Sequence, residues 1–245
     1  MVIRQFGPQW SIFAEYNYGW GVPFLCAYLV WQRWQERPSI ANPRHPGMAL
    51  VFALFCALVL AVARWAHEAN ATWRITTWTM ALCAVGISLV GFYLAGGRRW
   101  ARHFAFPIAF FLVAVPWPSQ FQEYIIQHLT RWNVAATVEA LSMAGIPTMQ
   151  HGNVIEVSTG MVGIDEACSG IRSLQATLMI ALFFGELYRF TLRRRSILVA
   201  AGVLLAFGFN VGRTFLLVTV AARQGIDAVG KWHDPAGVTI LIGCF

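Results

Sequence analysis

Residues 171–220 read IRSLQATLMIALFFGELYRFTLRRRSILVAAGVLLAFGFNVGRTFLLVTV, and this stretch decides the fold. Two apolar runs, 171–188 and 196–221, flank a short turn that carries Arg189, Arg193, Arg194 and Arg195. A helix needs about twenty apolar residues to cross a bilayer, at a rise of about 1.5 Å per residue. Both runs approach or exceed that length, and the basic turn between them reads as a cytoplasmic loop. Working outward, further runs of the same kind lie at 18–32, 47–64, 76–96 and 103–117, and a last one opens near 235. That last run reaches only Phe245, fewer residues than a crossing takes. The expected fold is therefore an all-α polytopic membrane protein of about seven transmembrane helices, with 1–245 forming a single integral membrane domain.

Composition excludes the competing classes. Of the 245 residues, 58% are hydrophobic and only 12% charged, with a mean hydropathy of +0.56. A soluble domain carries about 25% charged residues, and so few charges cannot coat a water-facing surface of this size. The chain is also far too apolar to be disordered. The net charge of +7 raises the question of nucleic acid, yet 17 of the 18 cations are arginine and most lie in short loops between apolar runs. That distribution is a topology signal and not a basic groove, so no nucleic-acid partner is expected.

Three alternate loops agree on orientation. Arg33, Arg37 and Arg44 follow the first run, Arg98, Arg99 and Arg102 follow the third, and the four arginines above follow the fifth. If every run crosses, these ten share one side, which the positive-inside rule makes cytoplasmic. The long stretch 118–170 is then an extracytoplasmic insert. Its first part, FQEYIIQHLTRWNVAATVEALSMAG, has helical apolar spacing and is expected to lie along the membrane surface until Gly145 and Pro147 stop it. The following TMQHGNVIEVSTGMVGIDEACSG alternates short β-branched runs with turn residues and reads as a hairpin or meander. No cleavable signal peptide is apparent, since Glu15 and Asn17 interrupt the nearest apolar segment.

Charge near a bilayer is costly and usually has a purpose. Three polar segments fall at extracytoplasmic helix ends by this topology. In DEACSGIRS, Cys168 stands where the fifth run begins, and a helix N-terminus lowers a thiol pKa. Arg172 would lie one turn along the same face if the helix already runs at Cys168. The competing reading makes Ser169 and Asp165 helix caps and Cys168 a bystander, and on this motif alone the two stand level. In NVGR, Arg213 lies seventeen residues into its run, roughly 25 Å along at 1.5 Å per residue, level with Cys168. Asn210 shares its face. An arginine there can also simply snorkel to the interface. In KWHDPAG, His233 can exchange protons near neutral pH and Asp234 can orient it, with Pro235 suited to a first helical turn. Its bland alternative is an interfacial histidine.

No HExxH, CxxC or GxSxG is present, so neither a metal site nor a cofactor is expected. The other cysteines, Cys26, Cys56, Cys83 and Cys244, lie in apolar runs and read as small hydrophobes. A nucleophile, a base and a cationic stabiliser are what cysteine acyl transfer requires. A small transporter and a non-catalytic component of an exopolysaccharide export complex remain rivals. No internal repeat favours the first, and the second predicts that Cys168 tolerates Ser or Ala.

The ordered set EACSGIRSL, NVGRTFLL and HDPAG, each at the outer end of a membrane helix, resembles the exosortase/archaeosortase family of polytopic membrane sorting enzymes. Motif detail covers 165–245, and earlier parts match through topology and apolar character. The resemblance implies a cysteine peptidase or transpeptidase in the bacterial inner membrane, with its active site facing the periplasm. Its substrates would be exported proteins ending in a tripartite tail: a motif such as Pro-Glu-Pro, one membrane helix and a basic cluster. It implies Cys168 as nucleophile, Arg213 as the essential arginine and His233 as the proton-transfer residue, with Arg172, Asn210 and Asp234 in support. A lipid or polysaccharide would accept the cleaved protein. The family usually runs on through the helix after its histidine, which is incomplete at Phe245.

Overall fold

The computed structural model describes residues 2–164 and 169–232, together with Pro235 and Val238. It is mainly helical. Its described elements are α1 (Val2–Ile12), a 3₁₀ turn (Ala14–Trp20), α2 (Val22–Gln35), α3 (Pro46–Ala69), α4 (Arg74–Ala109), a 3₁₀ turn (Phe110–Ala114), α5 (Ser119–Met143), β1 (Met149–His151), β2 (Val154–Val157), β3 (Gly160–Gly163), α6 (Ile171–Leu187), α7 (Leu192–Gln224) and a 3₁₀ turn (Ile226–Ala228). The chain divides into two compact units, 1–119 and 120–245.

Among the described residues, three helical stretches are long and apolar enough to cross a membrane: Pro46–Ala69, Arg74–Ala114 and Leu192–Gln224. Of the seven expected crossings, α2 with 14 residues and α6 with 17 fall short of the roughly twenty a straight crossing takes. Helical residues already occur at 229–232, ahead of the opening expected near 235.

In the first unit, the third and fourth apolar runs form a single element, α4, that reverses at Gly97. There φ is 75° and ψ −169°, inside otherwise helical backbone. The reversal is visible in what the two arms touch. Phe92 stacks on Phe104 with centroids 4.3 Å apart. Further along, the Trp78 indole N–H donates to Pro116 O at 2.8 Å, and Arg74 Nη1 donates to Trp117 O at 2.9 Å. Residues 98–114 thus run back along 74–96. The expected loop at 97–102 is one glycine, with the arginines already in the returning helix.

Gly97 is required there for two reasons. Its φ lies where side chains are strained, and a Cβ would come 2.8 Å from Ala41 O, which the 36–45 loop lays against the turn. Gly96 supports the same junction, because the Trp100 ring lies over it and donates from Nε1 to Pro38 O at 2.8 Å. Gly97→Ala is expected to lower stability by about 1–3 kcal/mol, the usual size of such backbone strain. Thermal unfolding of the purified protein in detergent checks this: an unchanged Tm would mean that the turn relaxes freely.

The other end of the first unit is aromatic. Trp10 Nε1 donates to Ala114 O at 2.8 Å, Tyr18 Oη to Val113 O at 3.0 Å, and Tyr16 Oη accepts from Trp117 N at 2.8 Å. Buried Trp and Tyr find such partners because an unmet N–H or O–H is costly in an apolar surrounding.

In the second unit, the meander is observed. β1, β2 and β3 form an antiparallel sheet in that order, with Met149 opposite Glu156 and Ile155 opposite Val162. Ile155, Val157 and Val162 face one side and pack with Val134 and Leu141 of α5 and with Val218 and Ala221 of α7. The helix expected along the membrane surface therefore has a protein partner for one of its faces.

Candidate active site

The site is built on the α6–α7 hairpin. Close approaches occur at three places along it, each permitted by a glycine. A Cβ at Gly185 would meet Arg195 Cγ at 2.9 Å, one at Gly202 would meet Thr177 Cγ2 at 2.7 Å, and one at Gly170 would meet Asn210 Cγ at 2.8 Å. Small residues let apolar helices pack this tightly. Seven or eight residues along α6 match seven or eight along α7 at each step, so the two helices hold one antiparallel register from turn to tip. At the turn, Arg195 Nη2 donates to the buried Glu186 carboxylate at 2.7 Å and to Gly185 O at 3.2 Å.

At the tip, Gly170 caps α6 in the left-handed conformation, with φ 83° and ψ 6°. Buried Ser169 accepts from Ile171 N–H at 3.3 Å, and Ser173 Oγ donates to Gly170 O at 2.9 Å. Because Gly170 is left-handed, the helix carrying Arg172 opens at Ile171. Cys168, whose one-turn relation to Arg172 was conditional on a helix running through both, lies outside the described residues. Arg172 itself is exposed in the first turn of α6.

On α7, Asn210 is buried and Arg213, three residues on, is half-buried, as a shared face requires. Asn210 belongs to a polar seam that the sequence did not reveal. Asn133 of α5 donates through Nδ2 to Thr214 Oγ1 at 2.8 Å, and Thr214 donates to Asn210 O at 3.1 Å. All three residues are at most 2% exposed. The seam ties α5 to α7 immediately below the α6 cap. Its only local trace is the spacing Thr130, Asn133, Thr137 on the buried face of α5.

Beside the cap opens an apolar cavity of about 250 Å³. Leu129 and Trp132 of α5, Leu174 of α6, and Val203, Leu204 and Phe207 of α7 form its walls, and Ser169, Gly170 and Asn210 its polar rim. Such a slot suits an apolar group whose polar backbone lies at the rim. Cys168, His233 and Asp234 lie outside the described residues. No cluster of His, Cys, Asp and Glu able to hold a metal occurs among the described ones.

Gly170→Ala tests how the tip is assembled. It forces a left-handed alanine, costing roughly 1–2 kcal/mol, and drives its Cβ into the Asn210 amide. In an Asn210→Ala background the same change is expected to cost less, since the amide is gone and only the backbone strain and a 3.2 Å approach to the remaining Cβ are left. Equal Tm losses in both backgrounds would show that the two residues do not press together.

The fold thus defines a multi-pass helical membrane protein with a polar-rimmed apolar slot where α5, α6 and α7 meet. The family model for transmembrane exosortases matches residues 10–245, and the chain belongs to that family. No curated protein and no solved structure matches it significantly.

Proposed function

We propose that the protein is a membrane cysteine peptidase or transpeptidase that cleaves C-terminal sorting tails from exported proteins. The observation that carries this reading is the seating of the Gly170 cap on Asn210, beside the apolar slot. It brings the segment that follows Cys168 to the level of the Asn210–Arg213 face. The family match extends over all three polar motifs and supports their joint use.

In the proposed mechanism, the tail's membrane helix lies against the slot and presents the scissile carbonyl at its rim. The Cys168 thiolate attacks the carbonyl carbon, and Arg213 stabilises the oxyanion. As the C–N bond breaks, His233, oriented by Asp234, gives its proton to the departing amine. The protein is left as a thioester on Cys168. Water, or an amine or hydroxyl on a lipid or polysaccharide acceptor, then attacks the thioester and restores the thiol. Asn210 supports the rim, and Arg172 adds positive potential near the thiolate. The arginine-bearing loops lie in the cytoplasm of the bacterial inner membrane, and the site faces the periplasm, where exported tails become accessible.

The test is co-expression with a reporter carrying a Pro-Glu-Pro-type tail, read by immunoblot against a reporter whose motif is deleted. Shortening of the first alone is the expected result. Shortening of neither, across a panel of tail motifs, would overturn the assignment.

A further inference from the structure

The end of the first unit opposite its aromatic end has a feature that tail cleavage does not use. The segments 33–45 and 98–103 carry six arginines and one acid, Glu36. Arg33 is engaged by the fold, donating through Nη1 to His103 O at 2.7 Å. The other five, Arg37, Arg44, Arg98, Arg99 and Arg102, are exposed.

Their convergence is fixed by packing. The Arg37 guanidinium lies 5.4 Å over the Trp34 ring and donates to Trp34 O, while Trp34 packs edge-on against Trp100 at 5.7 Å. Arg44 is held to the same junction because the next residue, His45, donates from its backbone N–H to Tyr93 Oη at 3.2 Å. Arg98 and Arg99 form the first turn of the returning arm of α4. There the helix dipole disfavours cations and favours an anion.

The depth of the patch identifies that anion. The apolar helix α3 begins at Pro46, and the outgoing arm of α4 ends at Gly97, so the cations stand where apolar helices leave the bilayer. Trp31 and Trp34, both exposed, lie at the same level, as tryptophans do at headgroup depth. We propose that the Gly97 reversal and the 36–45 loop together form a binding site for the headgroups of anionic phospholipids. A zwitterionic headgroup offsets its phosphate with its own cation, whereas an anionic headgroup leaves the phosphate charge uncompensated for the five exposed guanidinium groups to attract.

The experiment is native mass spectrometry of the full chain, released from mixed micelles containing equal phosphatidylglycerol and phosphatidylcholine. The wild type is expected to retain phosphatidylglycerol preferentially. The preference is expected to fall about fivefold for each arginine removed in the series Arg37→Gln, Arg44→Gln, Arg98→Gln, Arg99→Gln and Arg102→Gln. The five corresponding Lys substitutions keep most of it, because they keep the charge. The control is Arg193→Gln with Arg194→Gln, two exposed cations of the α6–α7 turn. Equal retention of the two lipids by the wild type overturns the proposal, as does an equal loss in the control or in the Lys series. Should the fivefold Gln variant fail to fold, the pairs Arg37→Gln/Arg44→Gln and Arg98→Gln/Arg99→Gln carry the same test.

Discussion

In cells expressing Cys168→Ala, the tail reporter is expected to remain full length at every time point, while Cys56→Ala processes it like the wild type. Removing a catalytic nucleophile costs on the order of a millionfold in turnover, so no shortened product is visible on any practical blot. The comparison with Cys56 separates chemistry from packing. Cys56 is buried in α3, where its sulfur is a small hydrophobe, and its loss removes one buried atom without touching an acyl-transfer step. Unchanged processing in Cys168→Ala would remove the thioester from the mechanism and favour a docking role within an export complex.

The second large effect is expected at Arg213. Losing one charge stabiliser of an oxyanion costs on the order of a hundredfold to a thousandfold in rate, so Arg213→Ala should slow reporter processing by that amount without abolishing it. Arg213→Lys retains the charge but not the planar fork, and should recover only part of the rate. A pulse-chase of reporter shortening reads both variants. Wild-type rates in Arg213→Ala would reduce this arginine to an interfacial anchor. Membrane levels of each variant are compared alongside, because the residue sits half-buried next to the Asn133–Thr214 seam.

Much of this was legible in the sequence, and the parts that were not share a cause. The arginine loops announced the antiparallel arrangement of the apolar runs, and the turn residues of 148–163 announced a meander, because both signals are local. The reversal after the third run was expected as an arginine loop, but its compression onto Gly97 was hidden, since arginines at 98–102 read the same in a loop as in the first turn of a returning helix. The partner of α5 was hidden for another reason. One apolar face along 119–143 has the same periodicity whether lipid or protein covers it, and only the sheet and α7 decide. Asn133 and Thr214 stand 81 residues apart, and nothing in either neighbourhood encodes their hydrogen bond. Among the site residues, helix lengths alone put Arg213 at the level expected for Cys168, which lies outside the described residues. The left-handed Gly170 cap seated against Asn210 was not foreseeable from them.

The fixed register of the α6–α7 hairpin makes its far turn a gauge for the site. One residue inserted within α7 between Gly202 and Asn210 would, at 1.5 Å and about 100° per helical residue, turn Asn210 away from Gly170 while Arg195 kept Glu186 and Gly202 stayed under Thr177. The helical spacing that leads from the basic turn to the tip is thus under the same constraint as the proposed reactive groups, although the turn lies some seventeen helical residues away from the tip.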